Sequence, residues 1–236
     1  MVRFLGFLLA LAVSPFAWGL SHAAFDVFRR IPASGGSVLA PGVVAMFLGI
    51  ALQLLLWIFL PPPIRLYVLG HELTHAFWGK CFGARVSNLK VGLQGGSVTL
   101  TKSNVLITLA PYFFPFYTIL IVLVALLVRM FVSPLPCPCV WLFAIGFTWC
   151  FHICFTLRSL AQRQPDIQEC GNLFSYVFIW IFNVAGMAVW IVCTTEISWT
   201  TLWVRILARS GHAYAKVGSW FVWVYESLRT LPVLQG

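Results

Sequence analysis

Four apolar runs, near positions 43 to 60, 104 to 132, 140 to 158 and 172 to 195, decide most of what this chain can fold into. Each is long enough to cross about 30 Å of hydrocarbon as a helix. Lipid offers the backbone no hydrogen-bond partners, so segments that cross it must satisfy their own amides and carbonyls, and helices do this within a single segment. A fifth run, positions 4 to 20, follows Arg3 and ends in Ser21-His22-Ala23, which fits either a cleaved signal peptide or a first anchor. The remaining composition leaves little room for another architecture. Only 9% of the 236 residues are charged and 61% are hydrophobic, whereas soluble domains carry about a quarter charged residues. Ordinary soluble folds and disorder are both excluded.

Fifteen Lys and Arg against six Asp and Glu give a formal charge of +9. In so apolar a chain that excess belongs to loops facing anionic lipid. No basic cluster with interleaved aromatics lies outside the apolar runs, so the sequence predicts no nucleic-acid partner. Lys80, Arg85, Lys90 and Lys102, together with Arg158 and Arg163, mark two cytoplasmic segments, while the loop 133 to 139 has neither basic residue type. A polar helix that spans the bilayer would place Arg29 and Arg30 inside as well, which favours an uncleaved N-terminus. Seven cysteines, most of them in or beside apolar runs, behave as small hydrophobes and imply no disulfide framework. Cys137 and Cys139 stand too close together for good disulfide geometry.

Between Pro61-Pro62-Pro63 and Gly83 the chain changes character: RLYVLGHELTHAFWGKCFG is helical by composition but too polar to face lipid. It contains His71-Glu72-Leu73-Thr74-His75. Residues four apart share one face of a helix, so both imidazoles can reach a single Zn²⁺ while Glu72 reaches a water as general base. A carboxylate among apolar segments also costs at least about 2.5 to 3.5 kcal/mol, which calls for a functional reason. Catalytic zinc needs a third protein ligand, and with six acidic residues the search is short. Asp166, at the cytoplasmic end of the run 140 to 158, is the best candidate, against a reading as a solvated loop aspartate. His152 competes as a ligand, or serves as a nearby donor during catalysis. Beyond the polar helix, positions 84 to 102 alternate on both sides of Gly95-Gly96, the pattern of a β-hairpin with a two-residue glycine turn. Near the C-terminus, Trp199, Leu202, Trp203, Ile206, Leu207, Tyr214, Val217, Phe221, Val224 and Leu228 recur at helical spacing, and Arg205, Arg209, His212 and Lys216 fall largely on another side. That is an amphipathic helix lying in the interface, with a tilted span as the other possibility.

Together these features predict an all-α polytopic membrane protein: a bundle of about five to six transmembrane helices, a small β-hairpin after the HExxH helix and a C-terminal amphipathic helix. The predicted organisation is an N-terminal anchor or signal-like segment and loop (1–42), a membrane-embedded core (43–195) and the interfacial helix (196–236).

The HExxH helix, the Gly-containing hairpin and a Pro-Asp pair near a later membrane helix together resemble the site-2 protease family of intramembrane zinc metalloproteases, over roughly positions 64 to 195. By that resemblance His71 and His75 match the two histidine ligands, Glu72 the general base, and Asp166 the aspartate ligand of an Asn-Pro-Asp-Gly-like motif. Here the motif reads Gln164-Pro165-Asp166-Ile167, without the usual Asn and Gly, and Gln164 or His152 would have to supply the contact of the missing Asn. The resemblance implies hydrolysis of peptide bonds in or near transmembrane segments, with Zn²⁺ as cofactor, in the inner or plasma membrane, at a site nearer the cytoplasmic face. Its partners would be the lipid bilayer and a membrane-protein substrate whose helix can unwind. The hairpin would then accept the unwound strand or plug the site. Two other classes compete: a divalent-metal transporter of the ZIP type, which usually surrounds its metal with more acidic and His residues, and a catalytically silent zinc-stabilised scaffold, which has no use for Glu72.

Overall fold

A computed structural model of the chain describes residues 2–30, 41–195 and 197–229. The expected loop between the N-terminal anchor and the core, and the last seven residues, lie outside them. The described residues are mostly helical, with one two-stranded sheet. Among the described residues four helices are long and apolar enough to cross a membrane, or five spans if one bent pair counts as a single span. This is the make-up of a multi-pass integral membrane protein. By its contacts the chain forms two compact units, one drawn from both ends of the sequence (Met1–Gly36 and Trp180–Gly236) and one from its middle (Ser37–Ile179).

In the middle unit, α2 (Pro41–Phe59) begins with a proline, which the first helical turn tolerates, and stops short of the Pro61–Pro63 run. The helix α3 (Ile64–Cys81) carries the HExxH sequence, and its end is closed by Gly83 in the left-handed conformation (φ +73°) and by the amide of Ala84 donating to the Gly79 carbonyl. Strands β1 (Val86–Val91) and β2 (Gly96–Leu100) pair antiparallel. The hairpin is where it was expected, but its turn is not the Gly95-Gly96 pair. Val91 pairs with Gly96, so Gly96 belongs to β2, and Gly92 to Gly95 make the connection, with the Gly92 amide donating to the Gly95 carbonyl. An extra residue bulges β1 between Ser87 and Lys90, with Asn88 at φ 51°.

The apolar run 104 to 132 is not one straight helix. It folds as α4 (Val105–Phe113) and α5 (Phe116–Phe131), bent by 78°. Pro115 explains the break: it has no amide to donate and forces Phe114 into an extended conformation (φ −100°, ψ 105°). The side chain of Asn104 caps α4 by accepting from the Ile107 amide. The long helix α6 (Pro138–Leu160) packs on α2, with backbones so close that a Cβ on Gly49 would strike the Phe143 carbonyl and one on Gly146 the Met46 carbonyl. Small residues at such crossings give dispersion contact where lipid removes the hydrophobic drive to associate. A short helix, α7 (Pro165–Cys170), then leads into α8 (Asn172–Thr194). The unit's core gathers Leu109, Ala110, Tyr112 and Phe113 of α4 with Ile167 of α7 and Ile179 of α8.

The other unit is organised by α1 (Val2–Phe28) and α9 (Trp199–Arg229), which run antiparallel: Tyr214 reaches the Ala12 carbonyl and Arg209 reaches Asp26. The packed stripe of α9 is Leu202, Ile206, Ser210 and Ala213, at helical spacing, while Trp203, Leu207, Trp220 and Phe221 are exposed. The second half of that stripe, Ser210 and Ala213, is small, and the Ser210 backbone lies close against Gly19 of α1.

Candidate metal centre

His71 and His75 lie one turn apart on α3, and their Nε2 atoms approach to 3.2 Å. Asp166 Oδ2 lies 3.4 Å from His71 Nε2 and 3.5 Å from His75 Nε2. Two donor atoms bound tetrahedrally to one zinc at about 2.0–2.1 Å must themselves be about 3.3 Å apart. All three edges of this triangle fall close to that separation, so the donor set fits a zinc ion. His71, His75 and Asp166 are also the group that could hold a metal ion among the described residues.

Local sequence explains how each ligand is aimed. A backbone carbonyl only accepts, so the 2.9 Å contact between His75 Nδ1 and the Ile107 carbonyl makes Nδ1 the donor and leaves the Nε2 lone pair of the neutral ring facing the centre. On His71, Nδ1 lies 3.3 Å from Tyr67 Oη, which is itself 2.5 Å from Ser159 Oγ. The Tyr67 ring is held by stacking on Phe155, with centroids 4.4 Å apart. Asp166 sits in the first turn of α7, and the burial of the next residue, Ile167, in the core beside Leu109 and Tyr112 turns the carboxylate toward α3. Its Oδ2 accepts from Tyr112 Oη at 3.0 Å. Burial works against ionising Asp166, but the two imidazoles beside it, where protonated, hold its carboxyl well below the usual carboxylate range.

Glu72, His71, His75 and Asp166 all line one cavity of about 780 Å³. Glu72 is 7% exposed, a burial that for a carboxylate demands a purpose. The hairpin forms part of the cavity wall through Leu93–Val98. A Cβ on Gly96 would meet the Glu72 side chain, so glycine lets β2 lie directly against the residue between the two histidines. Arg158, Gln162, Gln164 and Glu169 give the cavity a polar rim.

His152 stands apart from this group. It lines a separate cavity of about 20 Å³ behind His71, together with Thr74, Tyr117 and Thr148. Gln164, by contrast, lines the main cavity at the start of α7. The sequence reading missed Tyr67, Tyr112, Ser159 and the Ile107 carbonyl. For the tyrosines a signal existed, a hydroxyl inside an otherwise apolar stretch, since a buried Tyr needs a partner. The Ile107 carbonyl had none. Comparisons with protein-family models, curated proteins and solved structures give no match to this chain.

Proposed function

We propose that this protein is a zinc-dependent intramembrane endopeptidase of the site-2 protease type, cutting peptide bonds in or near transmembrane segments. The observation that carries the reading is the triangle of His71, His75 and Asp166 donor atoms, with edges of 3.2, 3.4 and 3.5 Å, opening on the same cavity as the buried Glu72. A zinc ion held there would supply Lewis acidity, polarising a scissile carbonyl and making water nucleophilic near neutral pH. Glu72 is the proton carrier: its carboxylate takes a proton from the attacking water and returns one to the departing amine.

The hairpin supplies a place for substrate. A two-stranded sheet leaves one edge of each strand without a partner, and β2 lines the cavity. An extended segment, released by unwinding of a membrane helix, can add to that edge and draw its bonds past the metal site. Water must reach the same place, and the basic residues around α3, the hairpin and α7 favour an opening on the cytoplasmic side. A conduction path would need further ligands along the way, and among the described residues only one group of three metal-ligating side chains converges.

The deciding experiment compares wild type with Glu72→Gln in reconstituted membranes, reading zinc content and cleavage of a membrane-helix substrate. Stoichiometric zinc in both, with turnover lowered by about 10²–10⁴-fold in the variant, is the expected result. Equal turnover removes Glu72 as the base, and metal flux across sealed vesicles without cleavage would favour transport instead.

A further inference from the structure

The geometry points to Tyr112 as a positioning residue for the metal centre, the group that fixes the Asp166 carboxylate for metal uptake; this rests on the metal-site reading above. Tyr112 is fully buried, and its hydroxyl donates to Asp166 Oδ2, the same oxygen that faces both imidazoles. A carboxylate oxygen has about two lone-pair sites. With one engaged by Tyr112, the other is left directed at the His71 and His75 nitrogens. The Tyr112 ring also stands edge-on to His71, with centroids 5.3 Å apart at 87°, so one side chain restrains two of the three donors.

The backbone that carries Tyr112 strengthens the assignment. Tyr112 and Ile107 belong to the same nine-residue helix, α4, and the Ile107 carbonyl is what orients His75. One short, almost wholly buried helix therefore aims His75 through its first turn and Asp166 through its last. Asp166 needs such help, since its own helix, α7, has only six residues. A phenylalanine at 112 would fill the same space and leave Oδ2 free to rotate away.

The test uses the full-length protein in lipid nanodiscs, stripped with a chelator and titrated with zinc against a fluorescent competitor. Tyr112→Phe weakens zinc binding by about 10–100-fold, the usual effect of removing a partner that orients a ligand. The thermal midpoint of the metal-free protein serves as the control for packing and stays near the wild-type value. In an Asp166→Ala background, where the hydroxyl has lost its acceptor, Tyr112→Phe changes zinc affinity by less than about 2-fold. Tyr112→Phe binding zinc as tightly as wild type overturns the assignment, and so does an equal loss in both backgrounds, which would mark a packing role. A wild type that takes up no zinc brings down the metal-site reading as well, so the two failures are distinguishable.

Discussion

Each unit of this protein holds one half-buried aspartate among apolar helices, and the two meet partners of opposite kinds. Asp26 and Asp166 are similarly shielded, with side chains 17% and 24% exposed. Asp26 meets a guanidinium bidentately, Arg209 Nε at 2.6 Å and Nη2 at 2.9 Å, so a permanent cation answers its charge and both oxygens are engaged. Asp166 meets two imidazoles and a phenol, groups whose charge depends on a proton or a metal. The first arrangement is closed and ties α1 to α9. The second brings three donor atoms to a common point, where they could hold a metal ion. At similar side-chain exposure, what separates the two aspartates is the partner each one meets.

Four outcomes would break or sharpen that contrast. The largest is expected for Asp166→Ala, which should weaken zinc binding by more than about 100-fold, beyond what loss of an outer partner costs, while Asp26→Ala leaves zinc affinity unchanged; competitive metal titration of the two variants reads this directly. Next comes the backbone crossing of α2 and α6 within the middle unit. Gly146→Val drives a side chain into the Met46 carbonyl and should destabilise the protein by about 1–3 kcal/mol or more, seen as a lower midpoint in denaturant. Arg209→Ala leaves Asp26 unanswered, so the thermal midpoint falls while the zinc content holds, and zinc loss on this substitution would erase the distinction between the units. The smallest change concerns His152→Ala. Lying outside the ligand triangle, it should shift zinc affinity by less than about 3-fold, and a loss like that of Asp166→Ala would make it a ligand after all.

Much of the site was legible because its chemistry is written in local spacing. Two histidines four apart must share a helix face whatever surrounds them, and the scarcity of acidic residues made Asp166 the best candidate for a third donor. Multi-pass architecture was equally legible, since apolar length alone sets it. What sequence could not convey was the packing of α4 across α3. The Ile107 carbonyl is a backbone group that any residue would offer, and it reaches His75 only because of where α4 lies. The bend at Pro115 was present in the sequence but masked by the uniform hydropathy around it. Gly95-Gly96 misled for a different reason: the second glycine serves a close contact with Glu72 rather than a turn. Likewise, hydropathy ranks the large residues of α9 first, whereas its docked stripe includes Ser210 and Ala213.

The 78° bend has a consequence of scale. Straightened, residues 105 to 131 would form a rod of about 40 Å, long enough to cross the bilayer and nothing more. Broken after two and a half turns, the same letters become a bracket: one arm keeps its place among the hydrocarbon-facing helices, and the other is freed to serve as the back wall of a chamber. The break at Pro115 thus converts material suited only to anchoring into a mount for the Ile107 carbonyl and the Tyr112 hydroxyl.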